Sequence, residues 1–233
     1  MLADPEVAGT SVTDPGGAHT LLEIVAGDGT RALPIARLII GVSCAGEISR
    51  QQQRRNAVSL LEQLLSLTYP GKFTARALAH RPSGAPYLQN GESLAPPPQV
   101  SLAHAGKWSI AAVSTAASIG VDIEQQKAGR NTAQLAEFMG WKLKGNTDAE
   151  FYRRWTLWEA YTKCREGLLF APGGPEFEAL YAGSFADREG RARTWHGLYV
   201  QVADDVQAAV VVRTSEQVAT TARELDKLHA QPW

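Results

Sequence analysis

Ile119 to Glu124 reads I-G-V-D-I-E, an apolar strand that ends with two carboxylates, Asp122 and Glu124, at positions i and i+2. Side chains alternate between the two faces of a strand, so these two share a face, with their Cα atoms about 6.6–7 Å apart. That spacing lets both converge on one small hard cation such as Mg²⁺, whose oxygen ligands stand at roughly 2.1 Å. Alone, two acids at a strand exit are more commonly a solvated strand end. The second decisive stretch is Phe151 to Leu169, FYRRWTLWEAYTKCREGLL, where Trp155, Glu159 and Lys163 recur every four residues and share one broad helix face. Taken alone, Glu159 and Lys163 amount to an exposed i,i+4 ion pair worth about 0.3–0.5 kcal/mol, with the neighbouring aromatics in the core. Taken together, the two stretches supply three carboxylates for a divalent cation and one ammonium for a phosphate. These are the groups that displacement at a diphosphate requires.

Working outward, Leu38 to Cys44 reads as a buried strand and Glu47 to Leu67 as a helix with Val58, Leu61, Leu64 and Leu65 at helical spacing, ended by Pro70 and Gly71. His80 to Pro98, rich in Gly, Pro and Asn-Gly, suggests a hairpin or an extended surface excursion. Val100 to Ala103, Trp108 to Val113 and Ser118 to Glu124 read as short strands, and Asp148 to Arg165 as a second helix opened by acids and closed by Gly167. Thr194 to Val202 and Val206 to Arg213 form a hairpin around Asp204 and Asp205, and Ser215 to Leu228 fits a last helix. Strands and helices alternate along the chain, which favours an α+β fold over a helical bundle.

The composition narrows the function. With 23 Lys plus Arg against 24 Asp plus Glu, the net charge is -1, which excludes a strongly basic nucleic-acid binder. At 44% hydrophobic and 20% charged residues the 233-residue chain is an ordinary folded domain that buries a real core. The two cysteines, Cys44 and Cys164, form no C-x-x-C or Cys/His cluster, so neither a disulfide framework nor a zinc site is supported and a reducing cytoplasm fits. Residues 1–30 open on acids, prolines and glycines in place of a basic segment and an apolar run. They read as a loose tail and not as a secretory signal. The apolar runs Leu33 to Ala45 and Ile110 to Val121 are interrupted and fall short of the ~20 residues of a membrane span, so no membrane segment is expected.

A third element, Val100 to Ser109 (VSLAHAGKWS), sets His104 between a strand and a turn. A lone histidine is usually structural, yet a His or a backbone amide at such a turn can hold a phosphate. Other templates fail: Ser43 in GVSCAG lacks the glycine spacing of a nucleophile elbow, and neither G-x-x-x-x-G-K-[ST] nor H-E-x-x-H occurs.

In order and spacing these pieces resemble the Sfp-type 4'-phosphopantetheinyl transferases, which move the phosphopantetheine arm of coenzyme A onto a serine of a carrier protein. The family's G-[VI]-D-[IV]-E stands here as Gly120-Val121-Asp122-Ile123-Glu124, and its W-x-x-K-E-[AS]-x-x-K as Trp155 to Lys163. Degraded forms of two upstream motifs stand at Gly84 to Tyr87 and Ser101 to Ala105, so the likeness covers most of residues 47–213. It implies two similar α/β halves related by pseudo-twofold symmetry, over residues 31–115 and 116–233, with coenzyme A and Mg²⁺ in the cleft between them. Carried over, Asp122, Glu124 and Glu159 would bind Mg²⁺, and Lys163 would neutralise charge on the breaking diphosphate. Glu159, or a water on the metal, would take the serine proton. His104 would contact a phosphate of coenzyme A, and Arg50, Arg54 and Arg55 are candidates for its 3'-phosphate end. The implied partner is an apo acyl or peptidyl carrier protein. A chain this long supplies both halves itself, so a monomer is expected.

The chain departs from the family at three places: Trp158 and Ala85 replace lysines and Ala103 replaces a serine. Two lost charge-assisted contacts, at about 1.5–3 kcal/mol each, would weaken coenzyme A binding by about two orders of magnitude or more unless other groups compensate. Arg153, Arg154 and Arg165 are the candidates, while Trp158 packs either on the cofactor or into the core. A second reading therefore stands beside the enzyme: a catalytically impaired homologue that binds a carrier protein or a nucleotide-like ligand. Carrier proteins are generally acidic around their serine, so a docking surface is expected among Lys127, Arg130, Phe138, Met139, Trp141, Lys142 and Lys144.

Overall fold

The computed structural model describes residues 11–14, 17–26, 36–45, 49–69, 78–82, 84–89, 97–114, 118–143, 145, 147–166, 184–185 and 195–213. Helices and antiparallel strands are mixed, an α+β arrangement. Strands β1 (Ser11–Asp14), β2 (Gly17–Ala26), β3 (Ala36–Cys44), β6 (Gln99–Ala105) and β7 (Trp108–Ser114) form one sheet in the order β1-β2-β3-β7-β6. Strands β8 (Ser118–Gln125), β9 (Ser184–Phe185), β10 (Trp195–Ala203) and β11 (Val206–Arg213) form a second in the order β8-β11-β10-β9. A short ribbon pairs β4 (Leu78–His80) with β5 (Pro86–Leu88). The turn between them is closed by Gly84 at φ +85°, which donates its amide to Arg81.

Of the loose tail expected over residues 1–30, the described residues 11–14 and 17–26 instead form strands β1 and β2. Strand β2 pairs with β3 at eight successive positions, from His19 opposite Ser43 to Ala26 opposite Ala36. The run Thr20 to Val25 has the apolar and β-branched composition of a strand, but its partner lies later in the chain. Without β2, the outer edge of β3 would expose a row of unpaired backbone groups.

Helix α1 (Arg50–Thr68) starts at Ser49, whose hydroxyl accepts the Gln52 amide at 3.3 Å. It lays Leu60, Leu61, Leu64 and Leu65 on Val100, Ala111 and Val113 of the first sheet. Each of those leucines contributes about 1.5–3 kcal/mol by leaving water. Val58, expected on the same stripe, is only half-buried. Helix α3 (Thr147–Cys164) covers the second sheet with Leu157, Ala160, Tyr161 and Cys164 packed on Ala209 and Val211. A shorter helix, α2 (Thr132–Phe138), is capped by Asn131, which accepts the Gln134 amide at 3.1 Å, and it shares Ala136 with Phe151, Tyr152 and Trp155 of α3.

The sheets meet along β6 and β8, where the Val121 amide donates to Ser101 Oγ at 3.0 Å. Between them lies a common core of Ile40, Val42, Ile110 and Ala112 against Ile119, Val121, Ile123, Ala208 and Val210. The odd positions of β8 are thus committed to this core, and Gly120, Asp122 and Glu124 take the opposite face, toward α3. Ser215 to Leu228, expected as a helix, lies outside the described residues, as do Pro70 and Gly71. No helix among the described residues is long and apolar enough to cross a membrane.

Candidate metal centre

Gly120 decides how close α3 comes to β8. A Cβ placed there would overlap the Ala160 carbonyl and the Cys164 amide of α3, so only a glycine permits this approach. The helix backbone rests directly on the strand, and the next two residues on the same strand face, Asp122 and Glu124, come level with Glu159 and Lys163. One oxygen from each of Asp122, Glu124 and Glu159 lies within 4.8 Å of the others. Three oxygens that share one small cation, each at about 2.1 Å from it, must stand closer than this, so these side chains would draw together to hold one.

Asp122 is 3% exposed. Its Oδ1 accepts Lys163 Nζ at 2.7 Å, and the same ammonium donates to the Val121 carbonyl at 3.2 Å. Its Oδ2 is buried with no hydrogen-bond partner. A buried carboxylate oxygen left unpaired carries the desolvation cost of a charged group, and a cation on it removes that cost. Burial pushes the Asp122 carboxyl well above the usual carboxylate range, against the pull of the Lys163 ammonium and with the help of Glu159. Burial also raises Glu124, and the Glu159 charge adds to it, with Arg130 and Lys127 opposing. Lys163 titrates above its ordinary value: burial works against its charge, but Asp122 and Glu159 more than offset that. The raised carboxyls show that negative charge is disfavoured where these three acids meet, and a hard divalent ion would relieve it.

The site opens into a cleft of about 590 Å³, whose lining includes Arg54 of α1, His80 and Pro86 of the ribbon, and His104 of β6. Burial lowers the His104 pKa, and the charges of Lys163 and Arg54 act in the same direction. Of the sequence-derived site residues, Asp122, Glu124, Glu159, Lys163, His104 and Arg54 are brought together here. Arg50 and Arg55 stand exposed on α1 and do not line the cleft, although the Arg50 charge is felt at His104.

The three replaced positions are accounted for by packing. Trp158 is half-buried against Tyr161, with ring centroids 5.9 Å apart, and adds to the apolar layer between α3 and the second sheet. Ala85 sits in the β4–β5 turn, its carbonyl accepting the Arg81 amide at 2.9 Å, and Ala103 joins the intersheet core. None of the arginines considered as compensation lines the cleft: Arg154 pairs with Glu150 at 2.5 Å, Arg153 lies 4.8 Å from the Tyr199 ring centre, and Arg165 lies over Tyr161.

The surface expected for a partner is divided by the structure. Phe138 is 75% exposed, and Lys127 and Lys142 are exposed too, whereas Met139 and Trp141 pack against the Phe151 cluster. Arg130 is half-buried, 3.8 Å from Glu124 and over the α3 aromatic rings. Lys144 lies outside the described residues. His80 and the structural role of Gly120 were not singled out from sequence; the glycine inside an otherwise apolar strand is the signal that points to a close backbone approach.

Compared with models of known protein families and with curated proteins, the chain matches none.

Proposed function

We propose that this chain is a divalent-cation-dependent transferase acting on a diphosphate. The observation that carries this reading is the buried, unpartnered Oδ2 of Asp122 beside the carboxylates of Glu124 and Glu159, with Lys163 at 2.7 Å on the other oxygen. More particularly, we read it as a 4'-phosphopantetheinyl transferase of the Sfp type, with coenzyme A as donor and the serine of an apo acyl or peptidyl carrier protein as acceptor. The support for this second step is the match of Gly120 to Glu124 and Trp155 to Lys163 to that family's motifs.

Asp122, Glu124 and Glu159 would hold Mg²⁺, which supplies charge neutralisation for the two phosphates and the departing oxygen. Arg54 and His104, on the facing wall, present N–H donors to the phosphates of coenzyme A. Glu159 accepts the proton of the carrier serine as the serine Oγ attacks the pantetheine-bearing phosphorus. The bond from that phosphorus to the bridging oxygen breaks, and adenosine 3',5'-bisphosphate leaves with the electron pair. Lys163, kept protonated by its acidic neighbours, balances the charge that develops on the phosphates. Phe138 and Lys142 offer an apolar and basic landing surface for an acidic carrier.

Incubation with coenzyme A, Mg²⁺ and a panel of apo carrier proteins, followed by mass measurement of the carriers, tests the reading. A phosphopantetheine adduct that disappears with Asp122→Ala or Glu159→Ala supports it. Carrier binding without any adduct favours the impaired homologue suggested by Trp158 and Ala85.

A further inference from the structure

Each strand carboxylate of the acidic cluster has a cation on one side. Asp122 is held through Oδ1 by Lys163, as described above, and Glu124 has Arg130 Nη1 at 3.8 Å from its Oε2. The guanidinium of Arg130 is itself confined. Its centre lies 5.6, 5.5 and 5.6 Å from the ring centroids of Phe151, Tyr152 and Trp155. All three rings belong to the first half of α3, Trp155 one turn and Phe151 and Tyr152 two turns before Glu159. The segment around Arg130, from the loop into the start of α2, is fastened to the same helix at two further points. The Lys127 amide donates to Tyr152 Oη at 2.9 Å, and the Thr132 hydroxyl bonds Asp148.

We propose that Arg130 is a positioning residue for the cation site, one that fixes Glu124 of β8 against the helix carrying Glu159 and so sets the spacing of the ligand oxygens. The proposal rests on reading Asp122, Glu124 and Glu159 as a divalent-cation site. Arginine suits the role because its planar face stacks on aromatic rings while its edge meets a carboxylate. A lysine ammonium in the same cage keeps the charge and loses the planar fork.

The sign of the effect separates positioning from simple electrostatics. Arg130 is a positive charge near a cation site, so as a bystander its removal would tighten cation binding. As the residue that holds a ligand in place, its removal loosens binding, as loss of a group orienting a metal ligand typically does. The test uses Mn²⁺ alone, without coenzyme A or carrier, titrated calorimetrically into the full chain and two variants, with thermal unfolding of each metal-free protein alongside. Arg130→Met is expected to bind Mn²⁺ about tenfold more weakly than the parent. Arg130→Lys is expected to fall between the two, about threefold weaker. A folded Arg130→Met that binds Mn²⁺ as tightly as the parent, or more tightly, overturns the proposal whatever its unfolding temperature. If Arg130→Met does not fold, Arg130→Lys decides, and unchanged affinity there overturns it. Failure of the parent protein to bind Mn²⁺ removes the cation site and this role for Arg130 together, whereas binding by the parent with undiminished affinity in the variants removes the Arg130 role alone.

Discussion

On the β8–α3 wall of the cleft, Asp122 is held by Lys163, Glu124 faces Arg130, and Gly120 seats the helix backbone on the strand. On the facing wall, Arg54 and His80 stand exposed on α1 and the β4–β5 ribbon, and His104 is half-buried on β6. The first wall is a product of core packing: its strand turns Ile119, Val121 and Ile123 into the intersheet core, which holds the backbone that carries its acids. The second presents long or exposed side chains that can follow a ligand. A hard cation needs fixed oxygens, whereas phosphates are satisfied by donors that adapt, and on the proposed reading the two walls divide along that line.

The largest expected effect breaks the acidic wall at its chemistry. Glu159→Gln keeps the shape of the side chain and removes the carboxylate of the proposed proton acceptor, and transfer to carrier should fall by about 10²–10⁴-fold with the circular dichroism unchanged. A loss of less than tenfold would move the proton to another group. Next, Gly120→Ala drives a methyl group into the α3 backbone, and urea unfolding should report a loss of about 1–3 kcal/mol. Because the helix carries Glu159, Mn²⁺ affinity should fall with it. If stability drops while Mn²⁺ binding is kept, the seating of the helix is not what assembles the acids.

The facing wall should respond differently. Arg54→Ala is expected to raise the KM for coenzyme A about tenfold, the loss of one charge-assisted contact, and to leave the unfolding midpoint where it was. An unchanged KM takes Arg54 out of the phosphate contacts. The pH dependence sharpens the contrast further. Burial raises Asp122 and Glu124, so their contribution to stability is complete below the ordinary carboxylate range and is lost as pH rises through the raised values. A divalent cation requires the ionised carboxylates and recovers that loss. The gain in Tm on saturating Mg²⁺ should therefore be larger near pH 7.5 than near pH 5.5, by about 2–4 °C for each kcal/mol in a chain of this size. An equal gain at both pH values would place the cation elsewhere. The smallest effect belongs to the outer surface, where Lys142→Glu should raise the KM for an acidic carrier by about threefold without touching that for coenzyme A.

Much of the acidic wall is legible before folding. The i, i+2 spacing of Asp122 and Glu124 and the i, i+4 spacing of Glu159 and Lys163 are local periodicities, and each pair lies on one face as its period requires. The helices α1 and α3 and the β10–β11 hairpin follow from the same kind of local pattern. Strand β2 was missed because what makes residues 17–26 a strand is the edge of β3, a partner that no window on the N-terminus contains. Arg130 was assigned to the surface because a basic residue between motifs reads as solvated. Only the packing of three α3 rings around it leaves it half-buried. Trp158 was undecided between cofactor and core for the same reason, and its contact with Tyr161 settles it against the apolar layer.

The amino-acid order alone determined which groups were available and which of them shared a face, because the repeats of strand and helix are set by backbone geometry within a few residues. The tertiary structure alone decided that the two faces meet. That meeting depends on the absence of a side chain at Gly120, on a core that claims the opposite side of β8, and on an arginine held in an aromatic cage. Each of these is a contact between segments far apart in the chain, and no local period encodes such a contact.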